Sequence, residues 1–222
     1  MAEEYFYHYT TEGNAKDIFC TGKIHPSQTA NGDAVLGDGV YLTTLDPGLG
    51  RQTVKSNNWG GLIGSMDKKL DVFFEILMPS SNVRRAMDKR DIQVHCGALQ
   101  LADYKWSLKN WEGQLLATQH FMLSSQGKSG KLHPDKMGKY SLVRNIVMPK
   151  YCPVYKHDDK EFYLYKLEGY WCISDIAGDD EYSFFQPSDN SPSPVKTVPW
   201  HYFVRDEDEF REDVTLKVYP CY

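Results

Sequence analysis

Two short stretches near the start of the chain hold residues whose types and spacing could do chemistry. They are Tyr7-His8-Tyr9-Thr10 and Gly37-Asp38-Gly39-Val40-Tyr41-Leu42-Thr43. A histidine at the end of one strand and a tyrosine on a second put imidazole and phenol on the two walls of one cleft. A neutral imidazole hydrogen-bonds a ribose hydroxyl, and a tyrosine ring stacks on a flat heterocycle. Such a pair suits cleavage of an N-glycosidic bond, as at the nicotinamide of NAD. That bond breaks through an oxocarbenium-like ribose, so a site must hold both halves in a strained pose and stabilise the positive charge that develops. The backbone N–H and C=O of the residue after the histidine, Tyr9, can pair with the carboxamide as an added strand edge would. A carboxylate near the 2′-hydroxyl completes the set. Gly37 and Gly39 would allow close approach of a ligand to the second strand.

The elements that must position these residues are legible in the pattern. Glu4 to Tyr9 is short and aromatic-rich, which predicts a strand. Thr10 and Thr11 offer an N-cap, the apolar positions Ala15, Ile18 and Phe19 share one helical face, and Gly22 is a helix stop. Gly39 to Thr43 reads as a strand, and Asp46-Pro47-Gly48 ends it. The stretch from Gly48 to Met66 reads as a flexible loop with one helical turn. Leu70 to Met78 is a buried-strand signal, and Asp91 to His95 is another strand. Tyr104 to Leu116 has apolar spacing that is only partly helical.

The chain has 222 residues, 41% of them hydrophobic and 14% aromatic, which predicts a packed globular protein. A net charge of −5 argues against broad electrostatic binding to nucleic acid. Lys68-Lys69 and the group Arg84, Arg85, Lys89, Arg90 are the notable basic clusters. They would suit a pyrophosphate, an acidic target or open solvent. The five cysteines (Cys20, Cys96, Cys152, Cys172, Cys221) have no zinc-ligand spacing and are expected to be reduced thiols, and no metal site is expected. No apolar run approaches the length of a membrane span, and the acidic Met-Ala-Glu-Glu start lacks a secretory signal. A soluble, cytoplasmic protein without a membrane partner is the expectation.

At the two opening stretches the sequence resembles a known family. Tyr7-His8-Tyr9-Thr10, then Ile18-x-x-x-Gly22-x-Ile24-x-Pro26-Ser27, then Gly37 to Thr43 with Leu45 and Pro47, is similar to the HYD-type ADP-ribosyltransferase domain of polymorphic toxins and some animal proteins. The resemblance continues more weakly through Phe74-Glu75-Ile76, Arg90 to Val94 and Gly97 to Leu101, and covers about residues 4 to 104. It implies NAD as substrate, with His8 holding the ribose, Tyr41 stacking on nicotinamide, and Tyr9 contributing its backbone. Thr10, Ser27, Gly39 and Thr43 would line the pocket. The family is named for a His, a Tyr and an acid. Glu75 is the first candidate for the acid, followed by Asp103, Glu112 and Gln100. Gln100 stands where the resemblance calls for an acid, and a glutamine cannot stabilise positive charge as a carboxylate does. Strand alternation also offers Glu75 a different place, on the face opposite Phe74 and Ile76.

Gln126 to Lys139 is rich in Gly, Lys and Ser and reads as a linker, which puts a domain boundary near 140. After it come short aromatic strands separated by turns: Val154 to Lys156, Phe162 to Lys166, Tyr170 to Ile173 and Ser183 to Phe185. Val214 to Tyr219 reads as a last strand. Pro153 to His157, Phe162 to Lys166 and Tyr170 to Asp175, with Ser191 to Pro194, Trp200 to Phe203 and Asp213 to Val218, resemble a small all-β module of multidomain animal proteins. Trp200, Tyr202 and Phe203 would form a recognition face for a protein partner, and Arg205 to Asp213 reads as an acidic, solvated loop. The expected fold is α+β: an ADP-ribosyltransferase-like split-sheet NAD-binding domain at 1–140, then a small antiparallel all-β module at 141–222. The expected activity is mono-ADP-ribosyl transfer from NAD to a protein or nucleic-acid acceptor. The alternatives are a catalytically inactive NAD, ADP-ribose or protein binder, and NAD hydrolysis.

Overall fold

The computed structural model describes residues 2–32, 34, 36–60, 67–87, 89–144, 153–178, 184–186, 193–195 and 199–221. Cys152 and most of the segment 179–192 lie outside them. The described chain is mostly antiparallel β-sheet with three α-helices. It divides into two compact units, Met1–Leu116 and Ala117–Tyr222.

In the first unit, β1 (Glu3–Thr10) leads into α1 (Glu12–Thr21), β2 (Lys23–Ile24), β3 (Val40–Leu42) and α2 (Arg51–Trp59). Then follow β4 (Val72–Pro79), β5 (Val83–Arg85), β6 (Gln93–His95), β7 (Leu99–Gln100), β8 (Lys105–Asn110) and β9 (Leu115–Thr118), the last running over the join. Thr11 caps α1 by accepting from the Asn14 N–H at 3.1 Å, and Gly22 closes it in the left-handed conformation at φ 69°. One sheet has the order β1-β4-β8-β9, a second β3-β6-β5, and a two-stranded pair joins β2 to β7. The central β4 is buried at Val72, Phe73, Phe74, Ile76 and Met78. On one face of this sheet, Phe74 and Trp106 have ring centroids 5.9 Å apart, and Phe19 of α1 meets Trp106 edge-on at 5.7 Å. On the other face, Tyr7, Tyr9 and Phe73 pack with Val54 of α2 and Leu70. Each large apolar side chain so buried contributes on the order of 1.5–3 kcal/mol.

Two segments differ from expectation here. Gly48 to Met66 carries a full helix, α2, which buries Val54 and Lys55. Tyr104 to Leu116 holds strands β8 and β9, not a helix, because Trp106 and Leu108 alternate on the core face of the sheet.

The second unit holds β10 (His120–Ser124), α3 (Lys128–Leu132), β11 (Gly138–Val143), β12 (Val154–His157), β13 (Tyr163–Leu167), β14 (Tyr170–Ser174), β15 (Phe184–Gln186), β16 (Trp200–Val204), β17 (Glu209–Asp213) and β18 (Lys217–Cys221). Its nine strands form one antiparallel sheet, a meander from β10 to β17 with β18 returning beside β10. The expected boundary near 140 falls instead inside β11, which is paired on both sides by β10 and β12. The segment read as a linker is built into the unit. A Cβ on Gly130 would stand 2.6 Å from the Ser125 carbonyl, and one on Gly138 would stand 2.7 Å from His157 Nε2. These glycines serve close packing rather than flexibility.

Trp200 and Tyr202 are not a recognition face. They are 1% and 3% exposed and belong to the core, leaving only Phe203 partly open, ring to ring with Phe210 at 5.2 Å. Nor is Arg205 to Asp213 a free loop. It turns β16 into β17, and Asp213 at its end is buried.

Candidate functional site

The sheet of β1 and the sheet of β3 meet, among the described residues, at one backbone bridge: Tyr7 donates its N–H to the Thr43 carbonyl at 2.8 Å, and Thr43 returns the bond at 3.1 Å. The bridge is isolated, and among the described residues β1 and β3 form no ladder beyond it. At its other end, β3 is held by a second isolated bridge between Gly39 and Ser27, with bonds of 2.9 and 3.1 Å. Between the two bridges the Tyr41 carbonyl faces β1, because Gly39, Tyr41 and Thr43 share the same hydrogen-bonding parity. His8 reaches into this gap: its Nδ1 lies 3.1 Å from the Tyr41 carbonyl oxygen.

That contact fixes the tautomer. A carbonyl only accepts, so the ring proton sits on Nδ1, and Nε2 keeps a lone pair. Burial pulls the His8 pKa below the ordinary 6.5, with the bond to the Tyr41 carbonyl acting the other way. A neutral imidazole at neutral pH follows, whose Nε2 accepts a hydrogen bond. By the same parity argument, the N–H and C=O of Tyr9 face the edge on which Tyr7 meets Thr43.

The structure brings His8 and Tyr41 together, though through the tyrosine backbone. The Tyr41 hydroxyl is spent on its own turn, accepting from the Leu36 N–H at 2.9 Å and donating to the Gly37 carbonyl at 2.7 Å. Its ring packs against Ala86, Ile92 and Val94. What Tyr41 has left for a ligand is ring surface. Tyr9 donates its hydroxyl to the Leu45 carbonyl at 2.9 Å, and Thr10 is buried in register with Val72.

Two expectations about the pocket need correcting. Gly39 does approach something closely, but it is the neighbouring strand: an added Cβ would stand 2.4 Å from Val94 Cγ1 and 2.7 Å from the His95 carbonyl. Thr43, 1% exposed, is not a pocket hydroxyl. Its Oγ1 donates to Asp91 Oδ2 at 3.0 Å and accepts from the Leu45 N–H and Asn57 Nδ2.

Glu75 is not brought to His8. In the register of β1 and β4, Glu75 stands opposite Tyr7, and His8 stands opposite Phe74. Opposed residues share a face and successive residues alternate, so Glu75 and His8 project from opposite sides of the sheet. The Glu75 carboxylate is already engaged, accepting from Lys109 Nζ at 2.6 Å and Ser107 Oγ at 3.1 Å. It shares its side with Tyr7, whose hydroxyl donates to Asp46 at 3.2 Å. Burial first, then the charges of Asp46 and Glu75, push that phenol far above its ordinary pKa. Among the other candidates, Gln100 pairs with Lys23 in the β2–β7 ladder, Asp103 lies exposed at the end of a short 3-10 helix, and Glu112 lies exposed in a turn.

The residues that sequence reasoning missed are Asp91 and Asn57. Asp91 Oδ2 accepts from Thr43 Oγ1, from the Thr44 N–H at 2.7 Å and from Thr44 Oγ1 at 2.7 Å, and Oδ1 accepts from Gln93 Nε2 at 3.2 Å. Burial opposes ionisation of this carboxyl, but these donors outweigh it and hold its pKa below the usual carboxylate value. Asn57 of α2 grips the Asp91 backbone at both ends, accepting from its N–H at 2.7 Å and donating to its carbonyl at 2.8 Å. The sequence signal was slight: two threonines after a strand and, nearly fifty positions on, an aspartate opening another.

Comparison of the chain with family models, with curated proteins and with solved structures returns no match. Among the described residues no group of His, Cys, Asp or Glu is arranged to hold a metal ion, and no helix is long and apolar enough to cross a membrane. Cys20 and Cys96 are exposed free thiols, Cys172 is buried, and Cys221 is half-buried and free.

Proposed function

We propose that the first unit is an ADP-ribosyltransferase-like domain that binds NAD in the gap between β1 and β3 and transfers ADP-ribose from it. The observation that carries this reading is the His8 Nδ1 bond to the Tyr41 carbonyl at 3.1 Å. It orients a neutral imidazole with Nε2 free to accept from a ribose hydroxyl. The Tyr9 N–H and C=O supply the complementary pair for the nicotinamide carboxamide, and the ring of Tyr41 supplies an apolar wall. These groups bind and orient NAD, which holds the scissile bond in one geometry. In the transfer, the bond between ribose C1′ and the pyridinium nitrogen breaks and its electron pair goes to that nitrogen, so neutral nicotinamide leaves. A lone pair on the acceptor forms the new bond to C1′, and the acceptor proton passes to solvent. The acceptor is a protein or nucleic acid met in the cytoplasm, with the second unit as the surface for a protein partner.

A second reading, a binder of NAD or ADP-ribose without turnover, is favoured by one observation. Glu75 is paired with Lys109 on the face away from His8, and Gln100 stands at the position where the resemblance calls for an acid. Nicotinamide release and transfer of label from labelled NAD separate the readings. Release with labelled macromolecule, both lost in His8→Ala, supports the transferase. Release without label is NAD hydrolysis, and binding without release is the non-catalytic binder. Equal release by wild type and His8→Ala sinks the assignment.

A further inference from the structure

The gap that holds His8 is only as wide as its ends allow, and one end is fixed by a side-chain clamp. Tyr7 and Thr43 exchange both backbone bonds there. Thr43 is in turn tied through its hydroxyl to Asp91 and to Asn57. Asp91 also takes both the N–H and the hydroxyl of Thr44. Asn57 bonds the N–H and the carbonyl of Asp91 itself. Three elements thus converge on the last residue of the bridge: the turn after β3, the helix α2 that follows it, and, far later in the chain, the segment leading into β6. Two residues before Thr43 stands Tyr41, whose carbonyl holds His8.

We infer that Asp91 and Asn57 are positioning residues that set the separation of β1 and β3 and thereby the orientation of His8 toward NAD. The NAD part of this inference rests on the proposed function, whereas the part concerning His8 stands alone. A carboxylate suits the role because one oxygen accepts three donors from two successive residues, fixing the backbone at Thr44 and the side-chain rotamer at Thr43 together. An asparagine keeps the shape but turns donors toward donors on one side. Asn57 suits its own role because a single amide can satisfy an N–H and a carbonyl of the same residue. Neither residue reaches the substrate in this scheme. Each acts through Thr43 and Tyr41.

The test is the titration of the His8 ring, followed by proton–nitrogen NMR in the full chain, for wild type, Asp91→Asn and Asn57→Ala. NAD affinity is measured on the same samples. Loss of the clamp loosens the contact with the Tyr41 carbonyl and opens His8 to water. Relief of burial, the larger influence, outweighs the lost Tyr41 bond, so the His8 pKa rises toward the ordinary histidine value and the single Nδ1–H tautomer is lost, with NAD affinity falling about tenfold. Thr21→Val, which removes hydroxyl bonds at the end of α1, serves as a destabilised control. It is expected to leave the His8 titration where it is. If Asp91→Asn does not fold, Thr44→Val removes one bond to Asp91 at an exposed site and is expected to shift His8 in the same direction by less. A folded variant with the wild-type His8 titration overturns the inference, as does a control that shifts it equally. Wild type that binds no NAD defeats the proposed function, while the His8 titration still decides whether Asp91 and Asn57 position it.

Discussion

Replacing Asp213 by Asn removes the charge from the most heavily bonded carboxylate among the described residues of the second unit. Its Oδ2 accepts from Ser125 Oγ at 2.8 Å, Ser129 Oγ at 2.5 Å and the Ser129 N–H at 3.3 Å. Its Oδ1 accepts from Thr215 Oγ1 at 2.7 Å and the Thr215 N–H at 2.8 Å. The residue is 6% exposed. Burial pushes its pKa up, but the Ser129, Thr215 and Ser125 donors outweigh burial and bring it from 3.8 down to about 2. A depression of that size corresponds to about 2 kcal/mol of folding stability. The pKa is lower in the folded state, so the contribution is complete above the unfolded value near 3.8 and is lost as pH falls toward 2. Urea unfolding of the full chain, followed by tryptophan emission, should show Asp213→Asn less stable by about 2 kcal/mol at neutral pH, with the gap closing near pH 2. A gap that stays constant across this range would show that the carboxylate acts through shape rather than charge and would refute the reasoning. So would the absence of any gap at neutral pH.

Gly39→Ala should cost about 3 kcal/mol, since its Cβ would strike Val94 Cγ1 and the His95 carbonyl on β6; a variant with wild-type thermal stability contradicts that packing. Glu75→Gln weakens the contact with Lys109, so a loss of about 1 kcal/mol in chemical denaturation and no more than about a twofold change in nicotinamide release are expected. A thousandfold slower release would return Glu75 to the reaction. NAD affinity should fall on acidification at a lower pH than an ordinary histidine would impose, because burial lowers the His8 pKa, and the fall should track the gain of a proton on Nε2. Affinity that rises on acidification contradicts this role for His8.

The parts of the fold that were legible in the sequence are those set by local pattern. The Thr11 cap, the apolar face of α1 and its Gly22 stop are decided within about a dozen residues, and the strands at β4 and β13 announce themselves by composition. The parts that were not legible depend on partners far along the chain. Gly130 and Gly138 look like linker glycines until Ser125 and His157 are seen against them. Asp213 looks like one more acid in a charged run until Ser125 and Ser129, more than eighty residues earlier, are found bonded to it. At the site, the Tyr7-His8-Tyr9 stretch foretold the meeting of His8 with Tyr41, but not that a backbone carbonyl makes it. Alternation already warned that Glu75 points away from Phe74, and the β1–β4 register shows that His8 lies on the Phe74 side.

The most direct measurement of the central claim is a calorimetric titration of the full chain with NAD, for wild type and His8→Ala. One lost hydrogen bond to the ribose weakens affinity about fivefold to tenfold. Saturable binding by wild type, weakened by at least that factor in His8→Ala with circular dichroism unchanged, is the predicted result. Equal affinity in the two proteins, or no binding by wild type, would contradict it.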